Sequence, residues 1–112
     1  MKMPQRTLRW KREPRESGLR GIGQVRGWEL WLEKKRVASC RPAFEGFSRD
    51  VMGYGVSGAP DDELGIQWFN TYGDGLRATQ QEAMADAERI LTEALSGKYR
   101  LKFKRPEGME DA

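Results

Sequence analysis

The pattern of apolar and polar positions predicts one long amphipathic helix in the C-terminal third of the chain. Thr79 reads as its N-cap, with Glu82 three residues later in a capping box. Gly97 follows the end of the apolar stripe and is predicted to form a left-handed C-cap. We therefore predict a helix over residues 80–96, because one apolar stripe of period 3.6 runs along it: Ala83, Met84, Ala87, Ile90, Leu91, Ala94 and Leu95.

Before this helix the period changes to two, which is typical of half-buried strands. Strands are predicted at 28–33, at 37–41 with an end at Pro42, at 52–57 and at 66–70. A short strand at 7–11 and an edge strand at 99–104 also fit the alternation. The predicted fold class is α+β, a curved antiparallel sheet of about four strands (β-β-β-β-α) packed against one C-terminal amphipathic helix.

Large rings are predicted on both faces of this sheet. Trp31 alternates with Leu30 and Leu32, and Phe69 alternates with Ile66 and Trp68. Rings exposed beside arginines stack nucleobases or anchor protein interfaces. The alternative is a second small cluster of buried side chains covered by the N-terminal segment.

Two glycines interrupt the third predicted strand. Gly53 and Gly55 alternate with larger residues and leave one face bare. We expect them to admit a closely packed helix or neighbouring backbone, or to mark sheet curvature.

The 112 residues fit a single domain. We divide the chain into a basic, glycine-containing segment at 1–27 with room for a short strand, an α+β domain at 28–104 and an acidic tail at 105–112. The N-terminus lacks an apolar run of signal-peptide length, and no stretch of 18 apolar residues occurs. The sequence therefore predicts a cytoplasmic protein without a membrane partner.

Charge is distributed unevenly along the chain. The net charge is +3, but residues 1–41 carry +8, residues 42–93 carry −7 and residues 98–105 carry +5. A basic pole attracts phosphate or acidic protein surfaces. The alternative is that the two halves neutralise each other in the fold.

The candidate partner-binding residues follow from this asymmetry. Trp31 is the candidate aromatic anchor, and a separate acidic face is a candidate for mimicry of phosphates. The basic candidates are Arg9, Lys11, Arg12, Lys34, Lys35 and Arg36, and the acidic candidates are Asp61, Asp62, Glu63, Asp86, Glu88 and Glu93.

The sequence offers little evidence for a catalytic or cofactor site. There is no histidine, so histidine-based triads and most zinc sites are excluded. The glycines at 21 and 23 lead into a predicted strand rather than a helix, unlike a phosphate-binding loop. Cys40 lacks a histidine base, and we expect a buried structural thiol. These points favour a non-enzymatic protein without cofactor or metal.

Four stretches of the sequence resemble small accessory proteins of bacteriophages and prophages. They are residues 8–19, residues 26–30, Asn70-Thr71 and residues 79–83, and the similarity covers residues 8–96. This resemblance implies a context rather than an activity. Small phage accessory proteins often act by binding one host machine stoichiometrically, as inhibitors of restriction or of CRISPR effectors do.

Two functions from different classes remain open. The first is a protein-binding inhibitor or modulator of a host complex, and the alternative is a nucleic-acid-binding domain that uses the basic pole and the sheet aromatics. Whether the aromatic surface joins two copies of the chain also stays open.

Overall fold

The computed structural model of the chain describes residues 3–13, 27–44 and 50–106. The predicted segment around Gly21 and Gly23 and the end of the acidic tail lie outside them. The described elements are β1 (Gln5–Arg12), β2 (Trp28–Leu32), β3 (Lys35–Phe44), β4 (Val51–Gly58), β5 (Phe69–Asn70), α1 (Gln80–Leu95) and β6 (Arg100–Lys104).

The strands form one open sheet in the order β5-β4-β3-β2-β1-β6. Neighbours from β5 to β1 pair antiparallel, whereas β6 pairs parallel with β1. The α+β class and the C-terminal helix are confirmed, but the prediction of about four antiparallel strands understates the sheet, which has six strands and is mixed. The chain leaves the sheet after β5, crosses in α1 and returns beside the first strand, so the pairing joins opposite ends of the sequence.

Pro42 does not end the second predicted strand, because β3 continues to Phe44. Tyr54, the partner of Pro42 on β4, directs its own backbone N–H and C=O to Arg77 on its far side. The pair is therefore not hydrogen-bonded, and the proline nitrogen points away from β4. The proline nitrogen points past the end of β2, because the first residue of β2 pairs with Cys40. The missing N–H of Pro42 therefore costs no hydrogen bond between β3 and β2.

The predicted strand at 66–70 is mostly loop. Asp61 and Ile66 exchange both backbone hydrogen bonds at 2.9 Å, closing a turn that contains Gly65 at φ 74°. Only Phe69 and Asn70 pair with β4. The expectation that Ile66 and Trp68 share a face is wrong, since Ile66 is buried in the core and Trp68 is exposed.

The helix begins where the sequence predicts. Thr79 is the N-cap, and its hydroxyl accepts a hydrogen bond from the backbone N–H of Glu82 at 3.2 Å. The C-terminal prediction is wrong: the C-cap is Ser96 in right-handed helical geometry, and Gly97 does not adopt positive φ. The backbone N–H groups of Lys98 and Tyr99 instead satisfy the Leu95 carbonyl at 3.0 Å.

The core lies between the sheet and α1. It combines side chains of β1 to β4 with the apolar stripe of the helix, and the largest fully buried ones are Trp10, Leu8, Leu30, Met84, Leu91, Leu95, Val56 and Cys40. Ile90 and Ala94, which the pattern includes in the stripe, lie at its borders and are not part of this core. Strand β1 belongs to the same sheet although it falls in the predicted N-terminal segment.

The bare strand at Gly53 and Gly55 has a packing reason. A Cβ at Gly53 would meet the backbone oxygen of Arg77 at 2.9 Å, and one at Gly55 would meet the Tyr72 ring at 2.6 Å. The expectation of closely packed neighbouring backbone is confirmed at Gly53. The segment that follows β5 thus lies directly against β4.

Candidate functional site

The side of the sheet away from α1, called the open face below, carries the candidate site. Trp10 points to the helix side, where its indole N–H donates to Glu88 on α1 at 2.9 Å. Its neighbours Arg9 and Lys11 therefore point to the open face, because successive side chains of a strand alternate. The sequence folds this way because the apolar member of the alternation is drawn into the core.

Parallel pairing of β6 with β1 adds basic side chains to the same face. Arg9 is the register partner of Lys104, and Thr7 is the partner of Lys102. Leu101 and Phe103 point to the helix side and pack against the core. We call the resulting exposed group the basic patch: Arg9, Lys11, Arg100, Lys102 and Lys104.

The basic patch has no acidic partner among the residues that the structure describes. The ion pairs among these described residues involve other cations, and the Lys11 ammonium lies 5.3 Å from the centre of the Trp31 ring. Cations held together without counter-charges create a positive potential that attracts anions. Folding therefore leaves this charge free for a ligand.

A shallow depression of about 490 Å³ lies on the open face beside β1. Arg9, Lys11 and Trp31 line it together with Gln5, Arg6, Thr7 and Glu33. At its rim Arg6 pairs with Glu33 at 3.3 Å and lies 5.2 Å from the Tyr99 ring centre. The depression is polar, open and positively charged, which suits an extended anionic ligand.

Trp31 lies at the centre of the open face and is half-buried. Its indole N–H donates to Glu29 at 3.3 Å, and Lys11 covers its ring. Trp31 is thus fixed in place by two neighbours and presents only part of its surface.

The two acids beside the basic patch are neutralised by arginines. Glu29 is 6% exposed and pairs with Arg36 at 2.7 Å. Glu13, 4% exposed, accepts from the backbone N–H of Gly27 at 2.7 Å and pairs with Arg41. These acids fix the arginines in place without cancelling the charge of the basic patch.

The basic residues predicted from the sequence do not all lie together. Arg12 points to the helix side, 4.9 Å from the Trp28 ring centre, and Lys34 lies in the turn after β2. Lys35 pairs with Asp61 at 2.7 Å, and their hydrogen bond raises the pKa of Lys35 and lowers that of Asp61. Only Arg9, Lys11, Arg36 and Trp31 of that set share the open face.

The predicted acidic face consists of separate, mostly paired groups. Asp61 and Glu63 both lie near Lys35. On α1, Asp86 is buried and accepts from Arg77 at 2.7 and 3.0 Å. Glu88 binds Trp10 and Arg105, Glu93 lies 3.7 Å from Arg89, and Asp62 is exposed. A role of these acids in partner binding stays a prediction.

Sequence reasoning missed Arg100, Lys102 and Lys104 as members of the site. Their alternation with apolar residues predicts a strand, but nothing local says which strand is its partner. Cys40, by contrast, is buried as expected, and burial raises the pKa of its thiol to about 12.

Comparisons with protein-family models, with curated proteins and with solved structures found no match. In the described part of the chain no helix is long and apolar enough to cross a membrane. The same residues contain no group of three or more Cys, Asp or Glu side chains placed to hold a metal ion.

Proposed function

We propose that this protein binds nucleic acid, with the phosphates of the ligand lying over the basic patch. The observation that carries the proposal is the parallel pairing of β6 with β1, which places Lys104 beside Arg9 and Lys102 beside Thr7. Phosphate contacts by Lys and Arg supply most of the sequence-independent affinity for nucleic acids, because each contact releases condensed counterions. No catalytic step is part of the proposal.

The test is a salt titration of binding to a fluorescently labelled oligonucleotide, followed by anisotropy. The double variant Lys102→Gln/Lys104→Gln should bind about tenfold more weakly at low salt. Its plot of log affinity against log salt should be flatter by about 1.4, since each single-strand phosphate contact contributes about 0.7 to the slope.

The matched control is Arg89→Gln/Lys98→Gln, which removes the same charge elsewhere. Arg89 lies on α1, and Lys98 lies near Gly65 in the loop at 61–66. If the two double variants lose affinity equally, only net charge matters and the assignment to the basic patch is wrong.

The second candidate function is stoichiometric binding of one host protein, as an inhibitor of host defence of the phage type would do. The observation that favours it is the exposure of large apolar side chains at Trp68 and Met52, which are 65% and 58% exposed. Protein interfaces bury such side chains, and tryptophan is a frequent hot spot. A complex with one discrete protein, recovered from host lysate and unchanged by nuclease, would support this candidate over the first.

A further inference from the structure

Trp68 is the most exposed large apolar side chain of the described residues. It stands beside a second depression of the open face, about 320 Å³ in volume, whose lining also includes Arg36, Ser39, Ser57 and Gly58. The Ser39 and Ser57 hydroxyls lie 3.4 Å apart on the floor. The depression thus combines one large ring with a polar floor and a cation.

Local packing explains why the ring faces outward. Phe69 packs over Gly58, where a Cβ would meet its ring at 2.4 Å, and it contacts the core on the helix side. Its predecessor Trp68 takes the opposite direction and reaches the open face, where it lines the depression. An exposed indole gains nothing from the hydrophobic effect in the free protein, and this position leaves it free to contact a ligand.

The two depressions lie side by side on the open face. Trp31 lines the first and Arg36 lines the second, and these residues are register partners on β2 and β3. Lys104, Arg9, Trp31 and Arg36 therefore form one row across four strands. We call this row, extended by one strand to β4, the track. Because neighbouring strands lie about 4.8 Å apart, the track is about 19 Å long.

Arg36 is held in this row by the buried carboxylate of Glu29 at 2.7 Å. The guanidinium is still exposed on its other side, since 53% of the side chain is accessible. A cation fixed between the ring and the basic patch provides a continuous path for a chain of phosphates.

We propose that the ligand is single-stranded nucleic acid, which stacks a base on Trp68 while its phosphates follow Arg36 toward the basic patch. This inference rests on the proposed function and adds the strand state of the ligand. An unpaired strand presents free base faces along its whole length to an isolated ring, whereas a duplex holds its bases stacked inside and exposes base faces only at its two ends.

The experiment compares a labelled 12-nucleotide single strand with a blunt duplex of the same length. Trp68→Ala should weaken single-strand binding about tenfold and duplex binding less than twofold, with an unchanged salt slope. Trp68→Phe should retain most of the affinity, because a smaller ring still stacks. Met52→Ala is the control, since it removes another exposed apolar side chain, that of a β4 residue which lines neither depression.

A second readout is intrinsic fluorescence. Trp10 and Trp28 are buried and Trp31 is half-buried, so stacking on the exposed Trp68 should add its own part to the quenching by the single strand. Trp68→Phe should abolish that part of the signal while binding persists.

Three outcomes are distinguishable. Equal loss of single-strand and duplex binding in Trp68→Ala, or no loss at all, overturns base stacking but leaves the proposed function intact. If Lys102→Gln/Lys104→Gln also changes neither affinity, the proposed function fails with it. If Trp68→Ala abolishes only a nuclease-resistant protein complex, the ring serves a protein partner and the inference is wrong.

Discussion

At the scale of single residues, burial decides which charged and polar groups are available to a partner. Glu13 and Glu29 are almost fully buried and are each held by an arginine, whereas Arg9 and Lys104 are exposed and have no acidic partner among the described residues. Burying a carboxylate without such a partner would be strongly unfavourable. The acids near the site are therefore structural, and the free cations are the candidates for binding.

Burial of Cys40 and Tyr72 predicts how the stability of the protein changes at alkaline pH. It raises the pKa of Cys40 from 9.0 to about 12 and that of Tyr72 from 10.0 to about 12. Both groups ionise more easily in the unfolded chain, so their contribution is complete below pH 9 and is lost as the pH rises toward 12. By pH 11 the Cys40 contribution alone should fall by roughly 3 kcal/mol.

Urea denaturation from pH 7 to pH 11 checks this expectation, with Cys40→Ala and Tyr72→Phe as comparisons. Each variant should lose less stability across the range than the wild type does, whatever its stability at pH 7. Identical pH profiles for all three proteins would contradict the assignment.

At the scale of elements, one carboxylate ties α1 to both ends of the described chain. Glu88 on the helix accepts from the Trp10 indole at 2.9 Å and from the Arg105 guanidinium at 3.0 Å. The helix is thereby fixed to β1 and to the residue after β6. Neutralising Glu88 therefore perturbs the fold, and a loss of function in such a variant is no proof of an acidic binding face.

Glu88→Ala should lower the free energy of unfolding by about 2 kcal/mol, because it leaves the Trp10 N–H and Arg105 without their acceptor. The comparison is Glu93→Ala on the same helix, whose side chain is 71% exposed and lies 3.7 Å from Arg89. That change should stay within about 0.5 kcal/mol, as exposed ion pairs contribute little. Equal losses in urea denaturation would show that Glu88 has no special role.

At the scale of the whole molecule, folding separates the charges that the sequence distributes along its length. Many acids of the middle segment are used in ion pairs, with Asp61 and Asp86 on Lys35 and Arg77. The basic ends of the described chain meet on the open face. Charge is thus partly neutralised by ion pairs on one side of the sheet, and positive charge is concentrated on the other.

The basic patch exists only when β1 and β6 are paired, and an oligonucleotide that binds it should therefore stabilise the fold. At a ligand concentration of 100 times Kd the gain is about 2.7 kcal/mol, or roughly 10 °C in Tm. Thermal denaturation with and without oligonucleotide measures this shift, and Lys102→Gln/Lys104→Gln should reduce it. An unchanged Tm at an oligonucleotide concentration that saturates binding would mean that binding does not depend on the folded basic patch.

Elements with local signals could be predicted from the sequence alone. The helix start at Thr79 follows from a capping side chain within one turn, and β2 and β6 follow from a period of two that a few residues display. The burial of Cys40 and the close approach of neighbouring backbone at Gly53 could be predicted for the same reason. At Pro42 the pairing with β4 overruled the local signal, whereas at Gly97 and in the 66–70 segment hydrogen bonds between residues close in sequence did so.

Which basic residues share a face depends on how distant strands pair in the folded chain. Lys102 and Lys104 join Arg9 because β6 takes the free edge of β1, a pairing between opposite ends of the sequence that no local pattern encodes. Arg12 and Lys35 leave the predicted set because each finds a partner, a ring or a carboxylate, on another element. Alternation along a strand fixes which residues share a side, but strand order and register fix their neighbours, and these depend on how the whole core closes.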